Sequence, residues 1–145
     1  MNIHHILAPT DFSVHATQAA TSAFELALSC GAMLSLLHVI EIPVYAIEVA
    51  LPLADLEQDA RQSFARLLPE AAIAHVEVTR LVELGVPYLR ILEVARAEHI
   101  DLSVMTTHGR RTLLQRPPLT PLVLWAEHLP PRLRETRRAC PLDPP

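Results

Sequence analysis

Two spacings of apolar residues alternate along the first two thirds of the chain. Apolar residues recur every three or four positions over residues 14–30, which predicts an amphipathic helix, and similar spacing predicts helices over 53–67 and after Gly85. Apolar runs over residues 3–9, 33–40 and 102–105 predict strands buried on both faces, and alternation over 75–82 predicts a strand nearer an edge. Alternating strands and helices indicate an α/β fold with an open, mostly parallel, doubly wound sheet and helices on both faces.

Turn-forming residues mark the ends of the first predicted helix. Thr10 to Ser13 form a polar turn after the first strand, and Ser13 is a suitable N-cap residue. Gly31 fits the stop signal at the other end, because glycine accepts the left-handed conformation that commonly ends a helix. The first strand, helix and second strand therefore form one β-α-β unit, with a right-handed crossover.

A polar loop with His108, Gly109 and Arg110 follows the buried run at residues 102–105. In open α/β folds, ligands bind in the crevice beyond the carboxyl ends of the strands. We therefore expect a ligand at this end of the sheet.

The stretch from Gly85 to Arg110, GVPYLRILEVARAEHIDLSVMTTHGR, resembles the universal stress protein (UspA-like) family. In that family a Gly-x-Pro helix precedes an Asp-Leu-Ile-Val-Met-Gly-Thr-His-Gly-Arg strand and loop. The resemblance covers roughly residues 1 to 111 and includes the turn at Asp11 and the sequence Leu37-His38-Val39. It implies a parallel sheet of order 3-2-1-4-5, with strands one and four side by side, although this chain offers no clear fifth strand.

The resemblance further implies an ATP site, with Mg²⁺, in the crevice between strands one and four. Family members hold the phosphates on a Gly-x-x-Gly motif followed after nine residues by Gly and Ser or Thr. Thr106 and Leu119 replace two of those three glycines, and β-branched or bulky residues resist the positive φ that glycine accepts, which weakens the implied site. The corresponding positions are Pro9, Thr10, Asp11, Val39, Met105, Thr106, His108, Gly109, Arg110 and Thr120.

Two of these positions have a second interpretation. Asp11 either contacts the adenosine part of the ligand, as the resemblance implies, or caps the first helix together with Ser13. Arg110, with Arg111, either holds a phosphate through charge and forked hydrogen bonds or lies on a solvated loop.

Other chemistry finds little support in the sequence. The histidines do not fall into HExxH or His-carboxylate spacings, and there is no CxxC, so we predict no metal site. G-x-S-x-G and G-x-G-x-x-G are also missing, and we predict no catalytic residues and no rapid catalysis.

Cys30 and Cys140 form no disulfide framework, and no window resembles a signal peptide or membrane span, so we expect a cytoplasmic protein without membrane contact.

Composition changes abruptly near Arg110. Residues 1–109 hold five arginines and 13 acidic residues, whereas residues 110–145 hold seven arginines, three acidic residues and eight of the 13 prolines. We predict a domain over residues 1–129, in which 120–129 form a short helix, and a disordered tail over 130–145. Two explanations of the tail are open: it is the product of a shifted reading frame near Arg111, which we favour, or it is a basic segment that binds an acidic partner. Its arginines are not interleaved with aromatic residues, so it gives little support for nucleic-acid binding.

These observations lead to one functional interpretation and one alternative. We expect a universal stress protein-like, regulatory stress-response protein with a degenerate ATP crevice, acting as a homodimer. The alternative is a protein-interaction module of the same fold that binds no nucleotide. A fourth strand left at the edge of the sheet would favour self-association in either case.

Overall fold

The computed structural model describes residues 3–42, 52–68 and 74–105, together with the backbone of a short strand at 122–124. Each predicted helix and strand of the first 105 residues is present. The elements are β1 (His5–Pro9), α1 (Val14–Cys30), β2 (Met33–Ile40), α2 (Leu53–Leu67), β3 (Val78–Leu84), α3 (Pro87–Ala97), β4 (Leu102–Met105) and β5 (Leu122–Leu124).

The strands form one sheet in the order β3-β2-β1-β4-β5. β1 pairs in parallel with both β2 and β4, and β2 pairs in parallel with β3. The predicted parallel order 3-2-1-4 is therefore confirmed. β3 begins and ends slightly later than the alternating pattern indicated. Pairing with β2 sets its bounds, because all seven residues of β3 pair with residues Leu34–Ile40 of β2.

Three predictions about the part of the chain after β4 are wrong. Residues Leu122–Leu124 form a strand rather than part of the predicted helix over 120–129, and this strand covers β4, which is therefore not an edge. It runs antiparallel to β4, in contrast to the parallel fifth strand that the resemblance implied. The physical reason is that an uncovered β4 would present unpaired backbone groups, and a Leu-Val-Leu segment suits the partner position. The predicted tail over 130–145 lies outside the described residues.

Alternate residues of the central strands enter two separate cores. Ile6 and Leu36 belong to the core under α1 and α2, while their neighbours Leu7 and Leu37 belong to the core under α3. All four are 0–1% exposed. The predicted burial of both sheet faces is confirmed, and it places the helices that follow β1 and β3 on opposite sides of the sheet.

The amino end of the sheet is closed by hydrogen bonds around β1. One carboxylate oxygen of Asp101, Oδ2, accepts from the backbone N–H groups of His4 and His5 at 2.8 and 3.0 Å. The buried His5 ring lies 3.0 Å from the Glu98 carbonyl and 2.7 Å from Ser35 Oγ. These contacts tie β1 to β2 and to the segment that leads into β4.

Two glycines have backbone conformations that other residues rarely adopt. Gly31 ends α1 with φ 65°, and its N–H donates to the Ala27 carbonyl, which confirms the predicted stop. Gly85 lies between β3 and α3 with φ 137°, and a Cβ at that position would lie 3.2 Å from Arg90 Nε.

We expect Gly31→Ala to lower the free energy of unfolding by about 1–2 kcal/mol, the usual penalty of left-handed backbone for a residue with a Cβ. Gly85→Ala should cost more, about 1–3 kcal/mol for the rarer φ together with a displaced Arg90 side chain. Urea unfolding measures both values, with Gln18→Ala on the exposed face of α1 as control. Equal stability of the two variants and wild type would contradict the assigned backbone conformations.

Candidate functional site

The order of the strands creates a crevice at the carboxyl end of β1. The chain leaves β1 through α1 on one face of the sheet and enters β4 from α3 on the other face, so the connections diverge between these two strands. β1 and β4 pair through Ile6 with Leu102 and Leu7 with Ser103, and the same register brings Pro9 level with Met105. Such a switch point is where doubly wound sheets bind ligands.

The loop between β1 and α1 borders this crevice and contains three hydrogen bonds from its backbone N–H groups or the first turn of α1 to its own side chains. The Phe12 N–H donates to Thr10 Oγ1 at 3.0 Å, and the Ser13 N–H donates to Asp11 Oδ1 at 2.9 Å. Ser13 Oγ in turn accepts from the Ala16 N–H at 3.2 Å, which is the N-cap hydrogen bond of α1. Side-chain oxygens of Thr10, Asp11 and Ser13 therefore fix the path from strand to helix.

This geometry tests one of the two interpretations of Asp11, its part in the start of α1. The N-cap residue of α1 is Ser13, as predicted. Asp11 lies two residues before it and accepts a hydrogen bond from the Ser13 N–H through Oδ1. Asp11 is half-buried, and its position follows directly from the end of β1. Its structural role is thus an Asx-type turn before the helix, and its contact with a ligand stays a prediction.

Contacts of the His38 and Phe12 side chains stabilise the loop Thr10–Ser13. The His38 ring donates from Nδ1 to the Thr10 carbonyl, with 2.9 Å between nitrogen and oxygen. Phe12 has φ 60°, and its ring lies with its centroid 4.6 Å from that of His38 and 5.1 Å from that of Phe64, in an edge-on arrangement with the latter. The contacts with His38 and Phe64 offset the unfavourable backbone at Phe12.

The structure brings five of the predicted site residues to the carboxyl end of the sheet. Pro9 and Thr10 are buried, Asp11 and Met105 are half-buried, and Val39 is partly buried against the core under α3. The other predicted positions lie outside the described residues; they are Thr106, His108, Gly109, Arg110 and Thr120.

Sequence reasoning missed the parts played by Phe12 and His38. His38 entered the resemblance only as part of Leu37-His38-Val39, without a role of its own. Its place beside Thr10 follows from the pairing of Pro9 with Leu37, a register that no residue pattern near His38 reveals. His15 Nδ1, in the first turn of α1, is buried without a hydrogen-bond partner in the described structure. Within residues 3–42, 52–68 and 74–105, no three His, Cys, Asp or Glu side chains are grouped as metal ligands would be.

The fold and this loop define the class of the protein: a doubly wound α/β domain with a switch-point crevice at the end of its first strand. Comparison with known proteins gives the family. The model of the universal stress protein family matches residues 2–117. Universal stress protein A homolog 1 of Coxiella burnetii is 32% identical over 120 residues, which span 78% of this chain and 82% of that protein. The chain belongs to the universal stress protein family.

Solved structures have the same fold. The universal stress protein UspA from Lactobacillus plantarum aligns with a TM-score of 0.59 at 24% identity, over 77% of this chain and 85% of that one. A universal stress protein solved in complex with cAMP aligns with a TM-score of 0.55 at 20% identity, over 78% and 79% of the two chains.

None of the helices in the described part of this chain is long and apolar enough to cross a membrane.

The hydrogen bonds of the loop give a stability prediction. Ser13→Ala should lower the free energy of unfolding by about 1 kcal/mol, because it removes the side-chain acceptor at the start of α1, and Ser13→Asp should retain most of the stability. Ser29→Ala is the matched control, since that hydroxyl donates to a carbonyl within the exposed part of the same helix. If thermal or urea unfolding shows that Ser13→Ala lowers the free energy of unfolding no more than Ser29→Ala does, the assigned cap is contradicted.

Proposed function

We propose that this universal stress protein binds an adenine nucleotide in the crevice between β1 and β4 and regulates a stress response in the cytoplasm, without rapid catalysis. The observation that carries this proposal is the loop Thr10–Ser13, which holds Asp11 at the carboxyl end of β1 beside the switch point. Membership of the family supports the stress-response role and the compartment. The relative solved with cAMP supports an adenine nucleotide as the class of ligand.

The described residues fit the nucleoside part of such a ligand. Asp11 brings a carboxylate, which accepts hydrogen bonds from ribose hydroxyls, to a half-buried position where charged hydrogen bonds are strong. Val39, one residue before the end of β2, and Met105, the last residue of β4, have partly buried apolar side chains, which suit the face of a base. The nucleoside would therefore be held by these three side chains.

The phosphate side of the site depends on residues beyond the described part of β4. Thr106 and Leu119 replace glycines of the family motif, so backbone N–H groups approach phosphate oxygens less readily there. Arg110 supplies a positive charge with a forked donor geometry in their place. We propose ATP with Mg²⁺ as the ligand, bound more weakly than by a motif with all three glycines.

We also propose that the protein acts as a homodimer. The sheet supports this, because β5 runs as the outer strand beside β4 and an outer strand offers backbone groups for pairing with a second copy. The opposite outer strand, β3, carries Arg80 and Glu83, and charged side chains on an edge disfavour such pairing.

A second candidate function is an interaction module that binds no nucleotide. It is favoured by the two missing glycines and by exposed apolar side chains at the start of α3: Val86, Tyr88 and Leu89 are 45%, 65% and 45% exposed. Apolar groups that lie together on a surface are typical of contact sites for proteins.

Calorimetric titration with Mg²⁺-ATP distinguishes the two functions. We expect saturable binding, and Asp11→Asn should weaken it by about tenfold or more, because a hydrogen bond to a charged group contributes roughly 1.5–3 kcal/mol. Asparagine keeps an oxygen acceptor for the Ser13 N–H, so the loop is retained while the charge is lost. Arg110→Ala should also weaken binding.

The matched controls are Asp59→Ala and Arg66→Ala on the exposed face of α2, and both should bind like wild type. Absence of heat and of stabilisation at millimolar ATP would contradict nucleotide binding and favour the interaction module. Binding unaffected by Asp11→Asn would place the ligand elsewhere.

A further inference from the structure

We propose that His38 is a positioning residue for the nucleotide site: it holds the loop Thr10–Ser13 in the geometry that presents Asp11 to the ligand. The proposal rests on the proposed function in its last step, the contact between Asp11 and the nucleotide. The positioning itself is a property of the ligand-free protein.

The first contact of His38 is with the backbone just before Asp11. The Thr10 N–H donates to the Leu37 carbonyl of β2 at 2.8 Å. β1 has ended at Pro9, so the Thr10 carbonyl no longer belongs to the sheet ladder. Thr10 is 7% exposed, and a buried carbonyl needs a donor. His38 Nδ1 is that donor, at 2.9 Å.

This hydrogen bond also fixes the tautomer of His38. A carbonyl oxygen only accepts hydrogen bonds, so the hydrogen must lie on Nδ1. In the neutral ring the lone pair is then on Nε2. The structure thus assigns a hydrogen to Nδ1 of His38 in the absence of any ligand, and NMR can measure it.

The second contact of His38 is with the residue just after Asp11. Phe12 has φ 60°, a left-handed conformation that bulky residues avoid, and its ring lies against the ring of His38. On its other side the Phe12 ring meets the edge of Phe64, which is fully buried. His38 therefore touches both neighbours of Asp11, one through a hydrogen bond and one through its ring.

Holding both neighbours restricts the direction of the Asp11 side chain. The Phe12 and Ser13 N–H groups bond to Thr10 Oγ1 and Asp11 Oδ1, and both bonds require the backbone path that His38 stabilises. If the Thr10 carbonyl or the Phe12 ring were released, the Asx-type turn would loosen and the carboxylate would sample other directions. A pre-organised acceptor binds more tightly than a mobile one.

Two substitutions separate the two contacts. His38→Phe keeps an aromatic ring beside Phe12 and removes the donor to Thr10. His38→Asn keeps an N–H close to the position of Nδ1 and removes the ring. His75→Asn, on the exposed turn before β3, is the matched control.

The first experiment is performed on the ligand-free protein by NMR. Long-range nitrogen–proton spectra of wild type should show His38 with the hydrogen on Nδ1. In His38→Phe, the Phe12 and Ser13 amides should exchange with solvent about tenfold faster, while the Leu34 and Leu36 amides of β2 keep their wild-type rates. His38→Asn should recover part of that protection, and His75→Asn should match wild type.

Two results would overturn the positioning role in this experiment. One is an Nδ1 of His38 without a hydrogen in wild type, a result that needs no variant and so does not depend on any variant folding. The other is unchanged exchange at Phe12 and Ser13 in a folded His38→Phe protein.

The second experiment is the Mg²⁺-ATP titration of the same proteins. We expect affinity to fall about tenfold in His38→Phe and to be partly restored in His38→Asn, whereas a purely structural histidine would leave the affinity of both folded variants unchanged. A wild-type protein that binds no ATP contradicts the proposed function alone. Because exchange and tautomer are measured without ligand, they decide the positioning of the loop in either case.

Discussion

The burial of β1 on both faces is the constraint on which the rest of the structure depends. Ile6 and Ala8 enter the core under α1 and α2, while Leu7 enters the core under α3, and all three are fully buried. A strand buried in this way must have a neighbour on each side, and β2 and β4 supply them. Since α1 leads away on one face and α3 returns on the other, the carboxyl end of β1 is left open between them. The crevice is therefore a consequence of how the central strand is buried.

The loop that follows β1 shows how this open end is stabilised. The N–H groups of Thr10, Phe12 and Ser13 and the Thr10 carbonyl have partners within the loop or on β2, and Phe12 adopts an unfavourable φ while its ring packs between His38 and Phe64. Strained backbone of this kind clusters at functional sites, where the surrounding contacts hold one side chain in position. Here the side chain so positioned is that of Asp11.

Local features of the sequence predicted the first four strands and the three helices. The three- and four-residue spacing of alanines identified α1, and Ser13 and Gly31 marked its ends, because caps depend on residues that are close in sequence. β5 was missed because a three-residue strand carries little pattern of its own and forms only by pairing with β4. The contribution of His38 was missed for a similar reason: it depends on the register between β1 and β2. The residues matched to the nucleoside side of the site could be placed, whereas those of the phosphate side follow Met105, beyond the described residues.

Backbone amide shifts of the labelled protein, followed during titration with Mg²⁺-ATP, test the proposed nucleotide site most directly. A site at the end of β1 predicts saturable changes at Thr10–Ser13, Val39 and Met105, with His5 and Asp101 at the amino end of the sheet unaffected. Changes confined to the exposed start of α3, or no changes at all, would contradict a nucleotide site at the end of β1.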